Sequence, residues 1–395
     1  MVAPAHWREH DSRILGIQPH AHFYQYNVIT MFASCDRKTT LFVGIDVHRD
    51  THTAVGVSPF GEKLFELTVG NYEKDFRLLI QKVDEVSEQA LLSPFYGLED
   101  CHSYGERLST HLVQEGLRVV SVPPILVDEK RKYETHPEKS DPLDALGVAR
   151  VMIQRIDSLP IFTLTEESRK AKQIKELSMD REFLVCEQTR LKNQLHTLLH
   201  RLWNTGYRVK FKDPFSKKAL VFWSKHVPKE SDPFLVRSMK RKVKRLQDIK
   251  EEIVELEYEL ETLLKTSGQT LNTASGVGIT IAAEIVGEVG DISRFHSPAA
   301  LAKYAGCAPR ECSSGKTSRH RKTRSGNRRL NRAFHRMALS QISRMGNPVA
   351  QKYFKRKVSE GKSKSQALVC LRRQMVNIVW MMMKHKTVYR YPQEH

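Results

Sequence analysis

The chain has 395 residues, with 64 Lys and Arg against 45 Asp and Glu, a formal net charge of +19. That length allows two or three domains, each with its own core, and the charge favours a polyanionic partner, nucleic acid first. No stretch reaches the roughly 18 apolar residues of a spanning helix, six scattered cysteines suit neither a disulfide framework nor a zinc ribbon, and the first twenty residues lack a secretory pattern, so a cytoplasmic protein without a membrane partner is expected.

Residues 1–40 show no clean period and are expected to be a poorly ordered extension, with Met31 an alternative start. From Leu41 the apolar run LFVGIDV reads as a buried strand, and THTAVGVS, a turn at Pro59 to Gly61 and KLFELTV read as a hairpin. Lys74 to Ala90 has helical spacing, and PFYGLE and RVVSVPP read as two further strands, so an α/β layer is expected. Pro142 stands at a first helical position after Asp141, and the domain so opened ends near Asp157. Glu166 to Asn204 is a long amphipathic segment. Met239, Val243, Leu246, Ile249, Ile253, Leu256, Leu260 and Leu263 keep spacings of three and four, the seam of a coiled coil. The Lys- and Pro-rich stretch from Phe211 to Pro233 reads as a loop between two arms. In TASGVGITIAAEIVGEVGD, Gly276 and Gly278 can make a tight turn before a helix, as in a helix-hairpin-helix element whose amides meet a DNA phosphate. A plain glycine turn between packed helices is the competing reading.

Four acids stand out by position: Asp46 within the first strand, Glu99 at the end of a later one, and Asp141 and Asp144 opening a helix. Strand ends share a rim, and residues three apart on a helix share a face, so the four can converge. Crowded carboxylates tolerate one another when a hard cation neutralises them, and Mg²⁺ or Mn²⁺ prefers carboxylate oxygen. His48 and His102 lie beside these acids; packing or hydrogen bonding is the favoured reading of both. Further on, Lys316, Arg319, Arg321, Lys322, Arg324, Arg328, Arg329 and Arg332 form a basic run without an acid, a candidate nucleic-acid contact.

The order G-I-D-V-H, L-E-D, K-S-D-P-L-D-A, then Y-A-G-C-A-P-R-E-C-S-S-G-K and S-G-N-R-R-L-N-R-A-F, resembles the DEDD transposases of a bacterial insertion-sequence family, bridge-RNA-guided serine recombinases, over about Leu41 to Lys384. The resemblance implies an RNase H-like (RuvC-like) α/β domain at 41–157 carrying Asp46, Glu99, Asp141 and Asp144 as metal ligands. A helical coiled-coil region at 158–267 follows, then a mostly α C-terminal domain at 268–385 and a tail at 386–395. Alignment of A-G-x-x-P with S-G implies Ser314 as nucleophile, with Ser313, Ser318 and Cys312 as competitors. It further implies DNA and a non-coding guide RNA as partners, and a homodimer or tetramer. A metal-dependent nuclease that activates water is the alternative. The chain departs from the family after Glu99, where it reads D-C-H-S-Y-G, and Asp100 is expected to perturb the metal site.

Overall fold

The structure is a computed structural model that describes residues 35–131, 140–308, 310–314, 317–321 and 326–390, the backbone alone at 129–131, 310–314 and 317–321. The expected extension lies outside the described residues up to position 34, whereas Arg37–Thr39 form a turn capped by the Asp36 side chain. The chain divides into two compact units, with the boundary between Ser168 and Arg169.

The first unit is built on a five-stranded sheet, β1 (Thr40–Val47), β2 (Thr51–Val57), β3 (Lys63–Gly70), β4 (Ser93–Leu98) and β5 (Val119–Ser121), in the order β3-β2-β1-β4-β5. The expected hairpin pairs β2 with β3 antiparallel, β1 is antiparallel to β2, and β1, β4 and β5 run parallel. Helices α1 (Glu73–Ala90), α2 (Glu106–Gln114), α3 (Pro124–Arg131) and α4 (Asp141–Arg155) complete the unit. Side chains alternate across a strand, and β1 shows the result in two cores. Leu41, Val43 and Ile45 pack with Phe76, Leu79 and Val83 of α1, whereas Phe42 packs with Ala145, Val148, Ala149 and Met152 of α4. A sheet covered on both sides explains why β1 reads as an unbroken apolar run.

Two glycines set how closely α4 lies on that sheet. Gly44 and Gly97 are direct partners in the β1–β4 register. A Cβ on Gly44 would stand 2.2 Å from the Ala145 carbonyl oxygen and 2.4 Å from the Ala149 nitrogen, and one on Gly97 would stand 2.2 Å from Met152 Sδ. At Gly44 only hydrogen lets the helix backbone rest on the strand, whereas at Gly97 the space is taken by the Met152 side chain.

The second unit is mostly helical: α5 (Glu166–Trp203, whose first residues precede the boundary), α6 (Gly206–Lys210), α7 (Lys217–Lys225), α8 (Pro233–Thr266), α9 (Ile279–Val289), α10 (Pro298–Tyr304), α11 (Arg328–Ile342), α12 (Pro348–Ser359) and α13 (Lys364–His385). Arg181 pairs with Glu257 and Arg245 with Glu187, so α5 and α8 run antiparallel. Of the seam residues, Met239, Val243, Leu246, Ile249, Ile253 and Leu260 are buried. The stretch expected as a loop from Phe211 to Pro233 instead contains α7, capped by Ser216, which burics none of its lysines but seats Ala219, Leu220 and Trp223 on Leu195, Leu199 and Leu246. Its flanking prolines and paired lysines masked a short amphipathic turn. A second core gathers α9 to α13, and one antiparallel hairpin, β6 (Arg310–Ser314) with β7 (Thr317–Arg321), interrupts the helices. No described helix is long and apolar enough to cross a membrane.

Candidate active site

Asp46 lies on the α4 side of β1 by the alternation that places Phe42 and Gly44 there, and it is 5% exposed. Glu99 follows the last residue of β4; since Ile45 registers with Leu98, it stands next to Asp46 across the pair. Asp141 and Asp144 occupy the first turn of α4, where the helix dipole favours acids, and the Asp144 amide donates to the Ser140 carbonyl at 3.0 Å. The glycine-dependent docking of α4 therefore carries these two acids to the strand that carries Asp46.

His48 links the cluster. Its Nε2 is 3.1 Å from Asp46 Oδ2 and 3.1 Å from Asp141 Oδ1. Among the described residues, Asp46, His48 and Asp141 bring one ligand atom each within 4.8 Å of one another; Glu99 and Asp144 are not in that group. Asp46 Oδ2 is buried, and its close polar contact is the His48 imidazole. Burial pushes the Asp46 carboxyl above the ordinary aspartate value; His48 opposes the rise, and the negative charges of Asp144 and Asp141 add to it. A desolvated carboxyl facing further carboxylates is a group that a divalent cation fits.

His48, expected from the sequence as a packing or hydrogen-bonding residue, lies two residues beyond Asp46 and makes polar contact with two carboxylates. His102 does pack, its ring 5.5 Å from that of Phe162. Asp100, expected to disturb the metal site, instead accepts the backbone amides of His102, Ser103 and Tyr104 at 2.9, 3.0 and 3.2 Å and shapes the turn after Glu99.

In the second unit, Ser314 ends β6 opposite Thr317, and Ser313 pairs with Ser318. Arg319 and Arg321 lie on β7; Lys316, Lys322 and Arg324 lie outside the described residues. Arg328 is exposed at the start of α11. Arg329 and Arg332 are held by acids: Arg329 reaches Glu288 at 3.0 Å and Glu182 at 3.4 Å, and Arg332 reaches Glu182.

The two ends of the hairpin segment are clamped together by Asn327 and Asn331. The Asn327 amide nitrogen donates to Glu288 Oε2 at 2.6 Å, its carbonyl oxygen caps α11, and its backbone N–H donates to the Tyr304 carbonyl. Asn331 donates to the carbonyls of Ala305 and Gly306 and accepts from Arg372. Gly326, at φ +101°, lies where a Cβ would meet the Gly306 nitrogen at 2.7 Å. Y-A-G and G-N-R-R-L-N are thus two halves of one clamp. Gly276, at φ +73°, packs so that a Cβ would meet Ser340 Oγ at 2.7 Å, whereas Gly278 caps α9 facing open space.

Comparison with known proteins finds relatives along most of the chain. A transposase family model of the IS110 DEDD type matches residues 43–204, and a model of the IS116/IS110/IS902 transposase family matches residues 268–355. The chain is 25% identical over 396 residues to the 44.8 kDa protein of insertion element IS116 from Streptomyces clavuligerus, covering 89% of this chain and 97% of that protein. It is 26% identical to the 43.6 kDa protein of insertion element IS110 from Streptomyces coelicolor, covering 88% and 95%. A pilin gene-inverting protein of Moraxella bovis is 29% identical over 141 residues, 33% of this chain and 43% of that protein. The chain belongs to the DEDD-type insertion-sequence transposases. Its enzymatic class is DNA transposase or recombinase.

Proposed function

We propose that this transposase cuts and exchanges DNA strands through a phosphoserine at Ser314, aided by Mg²⁺ or Mn²⁺ held by Asp46, Glu99, Asp141 and Asp144. The observation that carries the metal half is Asp46, buried beside Asp141 and His48. The sheet order, with three antiparallel strands followed by parallel crossovers, supports an RNase H-like, RuvC-like unit. For the serine half, directly opposed residues of an antiparallel pair share a face and successive residues alternate. Positions 314, 319 and 321 therefore fall on one face of the hairpin, and 313 and 318 on the other. That register favours Ser314 over the neighbouring serines, because it puts two arginine positions on its side to receive a phosphate.

The Ser314 Oγ attacks the phosphodiester; the Oγ–P bond forms, the P–O3′ bond breaks, and a 3′-hydroxyl is released. A 3′-hydroxyl of the exchanged strand then attacks the phosphoserine, releasing the serine and preserving the bond energy. When bound, the cation neutralises charge on the phosphate and the clustered carboxylates. The clamp of Asn327 and Asn331 holds the base of the hairpin while its tip engages DNA. Recombination of defined DNA segments accords with the likeness to pilin gene-inverting proteins. Target choice is assigned to a non-coding guide RNA, following the family resemblance, since arginine contacts to phosphate are sequence-blind. The working form is a homodimer or tetramer acting in the cytoplasm.

The test is an in vitro reaction of the full chain with Mg²⁺, RNA transcribed from the flanking DNA, and labelled donor and target. A covalent protein–DNA adduct that is absent from Ser314→Ala is expected. Cleavage to free ends that persists in Ser314→Ala would instead establish a nuclease that activates water.

A further inference from the structure

The end of the helical arm concentrates the chain's charge. Residues 201–245 hold fourteen Lys and Arg against three acids, more than half of the formal net charge of +19. Within α8 the asymmetry is sharper. From Arg237 to Arg245 there are six basic residues and no acid, whereas from Asp248 to Glu261 there are seven acids and one lysine. Arg237, Lys240, Arg241 and Lys244 repeat at three and four and are all exposed, opposite the buried row of Met239, Val243 and Leu246. Lys217 and Lys218, at the start of α7, add to the same charged end.

This pattern works against the helix itself. Like charges four apart, as in Arg237 with Arg241 and Lys240 with Lys244, destabilise an isolated helix, and positive charge toward an N-terminal end opposes the macrodipole. Arg245 pairs with Glu187, and the four residues of the stripe have no ion pair among the described residues. An arrangement unfavourable within the protein is accounted for by a polyanion outside it.

We propose that this stripe is a second DNA-binding surface, which grips the phosphate backbone of a duplex without reading its sequence, separately from the carboxylate site and the Ser314 hairpin. The aromatic residues decide between duplex and single strand. Trp203, Phe211, Phe222 and Trp223 pack against one another, and Phe234 is the one strongly exposed Phe, Tyr or Trp in the segment. A single-strand groove needs a succession of exposed rings for base stacking, and a backbone clamp needs cations alone. Duplex DNA is the occupant because the chain is a DNA transposase and the stripe is charge-complementary to it.

The test measures binding of the full chain to a random-sequence 30-base-pair DNA duplex, a matched single strand and a matched RNA duplex across a salt series. Wild type is compared with Lys240→Gln/Arg241→Gln/Lys244→Gln. Each lost phosphate contact lowers the log–log salt slope by about 0.9, so a reduction of about 2 to 3 is expected for the DNA duplex, with tenfold or greater weakening at low salt. Circular dichroism is expected to show melting no lower than wild type, since all three side chains are exposed and their removal relieves like-charge repulsion; if the triple variant fails to fold, Lys217→Gln/Lys218→Gln carries the same comparison with a slope change of about 2. An unchanged slope in a folded variant would overturn the proposal, as would a loss confined to the single strand or to the RNA duplex.

Discussion

Asp46 in the α/β unit and Glu288 in the helical unit are each 5% exposed, yet their surroundings differ in kind. Glu288 receives Arg329, Lys175 at 3.5 Å and the Asn327 amide, and nearby Glu284 receives Arg336 at 2.6 Å. Asp46 meets a single imidazole at 3.1 Å and faces two further acids, and burial pushes its carboxyl above the ordinary aspartate value. Burying a charge is costly unless it is paired. Where the chain supplies the pair, the acid fastens α9 to α5 and α11. Where it supplies only an imidazole shared between two carboxylates, the proposed cation would add the missing positive charge.

Replacing Asp46 should have the largest effect on activity and the least on architecture. Asp46→Asn is expected to lower strand cleavage by on the order of 10³-fold, about 4 kcal/mol of transition-state stabilisation, with the helical unit unaltered. A variant that keeps more than a tenth of wild-type cleavage would erase the distinction between the two acids. Gly44→Val attacks the same site through packing, because the added side chain meets Ala145 and Ala149 backbone. A stability loss of about 3 kcal/mol in denaturant unfolding is expected, together with weakened Mn²⁺ binding as α4 carries Asp141 and Asp144 away.

The contrast was only partly legible in the sequence. The strands, the α2-bearing segment aside, followed from short apolar runs and turn residues, and the four acids stood out because β1 and the start of α4 are locally unambiguous. Gly44 was read within G-I-D without its reason, which lies in a helix a hundred residues away. The partners of His48 were not legible, because its place two residues beyond Asp46 does not say which helix brings a second carboxylate to it. Helix α7 was missed because the anchor of its amphipathic face, Trp223, is satisfied by tertiary contacts and by a hydrogen bond to the Pro214 carbonyl, not by sequence period. The basic run was visible, but that Arg329 and Arg332 are turned toward Glu182 and Glu288 depends on the packing of α5, α9 and α11.

Removing the paired acid should reverse the pattern. Glu288→Ala leaves Arg329 and Lys175 without their shared partner and frees Asn327. Both cations are partly exposed, at 24% and 41% of their side chains, so the expected loss is about 2 kcal/mol, below that of a fully buried pair. Unfolding should register this, and Glu288→Ala/Arg329→Ala should recover part of it. The Asn327 clamp also loosens, so adduct formation at Ser314 should fall more than Mn²⁺ binding. Equal losses in the two would mean that the clamp has no separate hold on the hairpin.

The smallest effect, and the most direct reading of Asp46, is its pH dependence in metal-free protein. Burial raises the folded-state pKa of Asp46 above the ordinary aspartate value, so within that window the folded state holds a proton that the unfolded state has released. Stability therefore rises as pH falls through the window, and the full cost of the buried charge is present above it. With EDTA at neutral pH, Asp46→Asn should melt slightly higher than wild type, by about 2 °C, and the difference should shrink on acidification. Saturating Mn²⁺ should invert the order by stabilising wild type alone. A metal-free Asp46→Asn that melts lower than wild type at neutral pH, as Glu288→Ala is expected to, would place Asp46 with the structural acids instead.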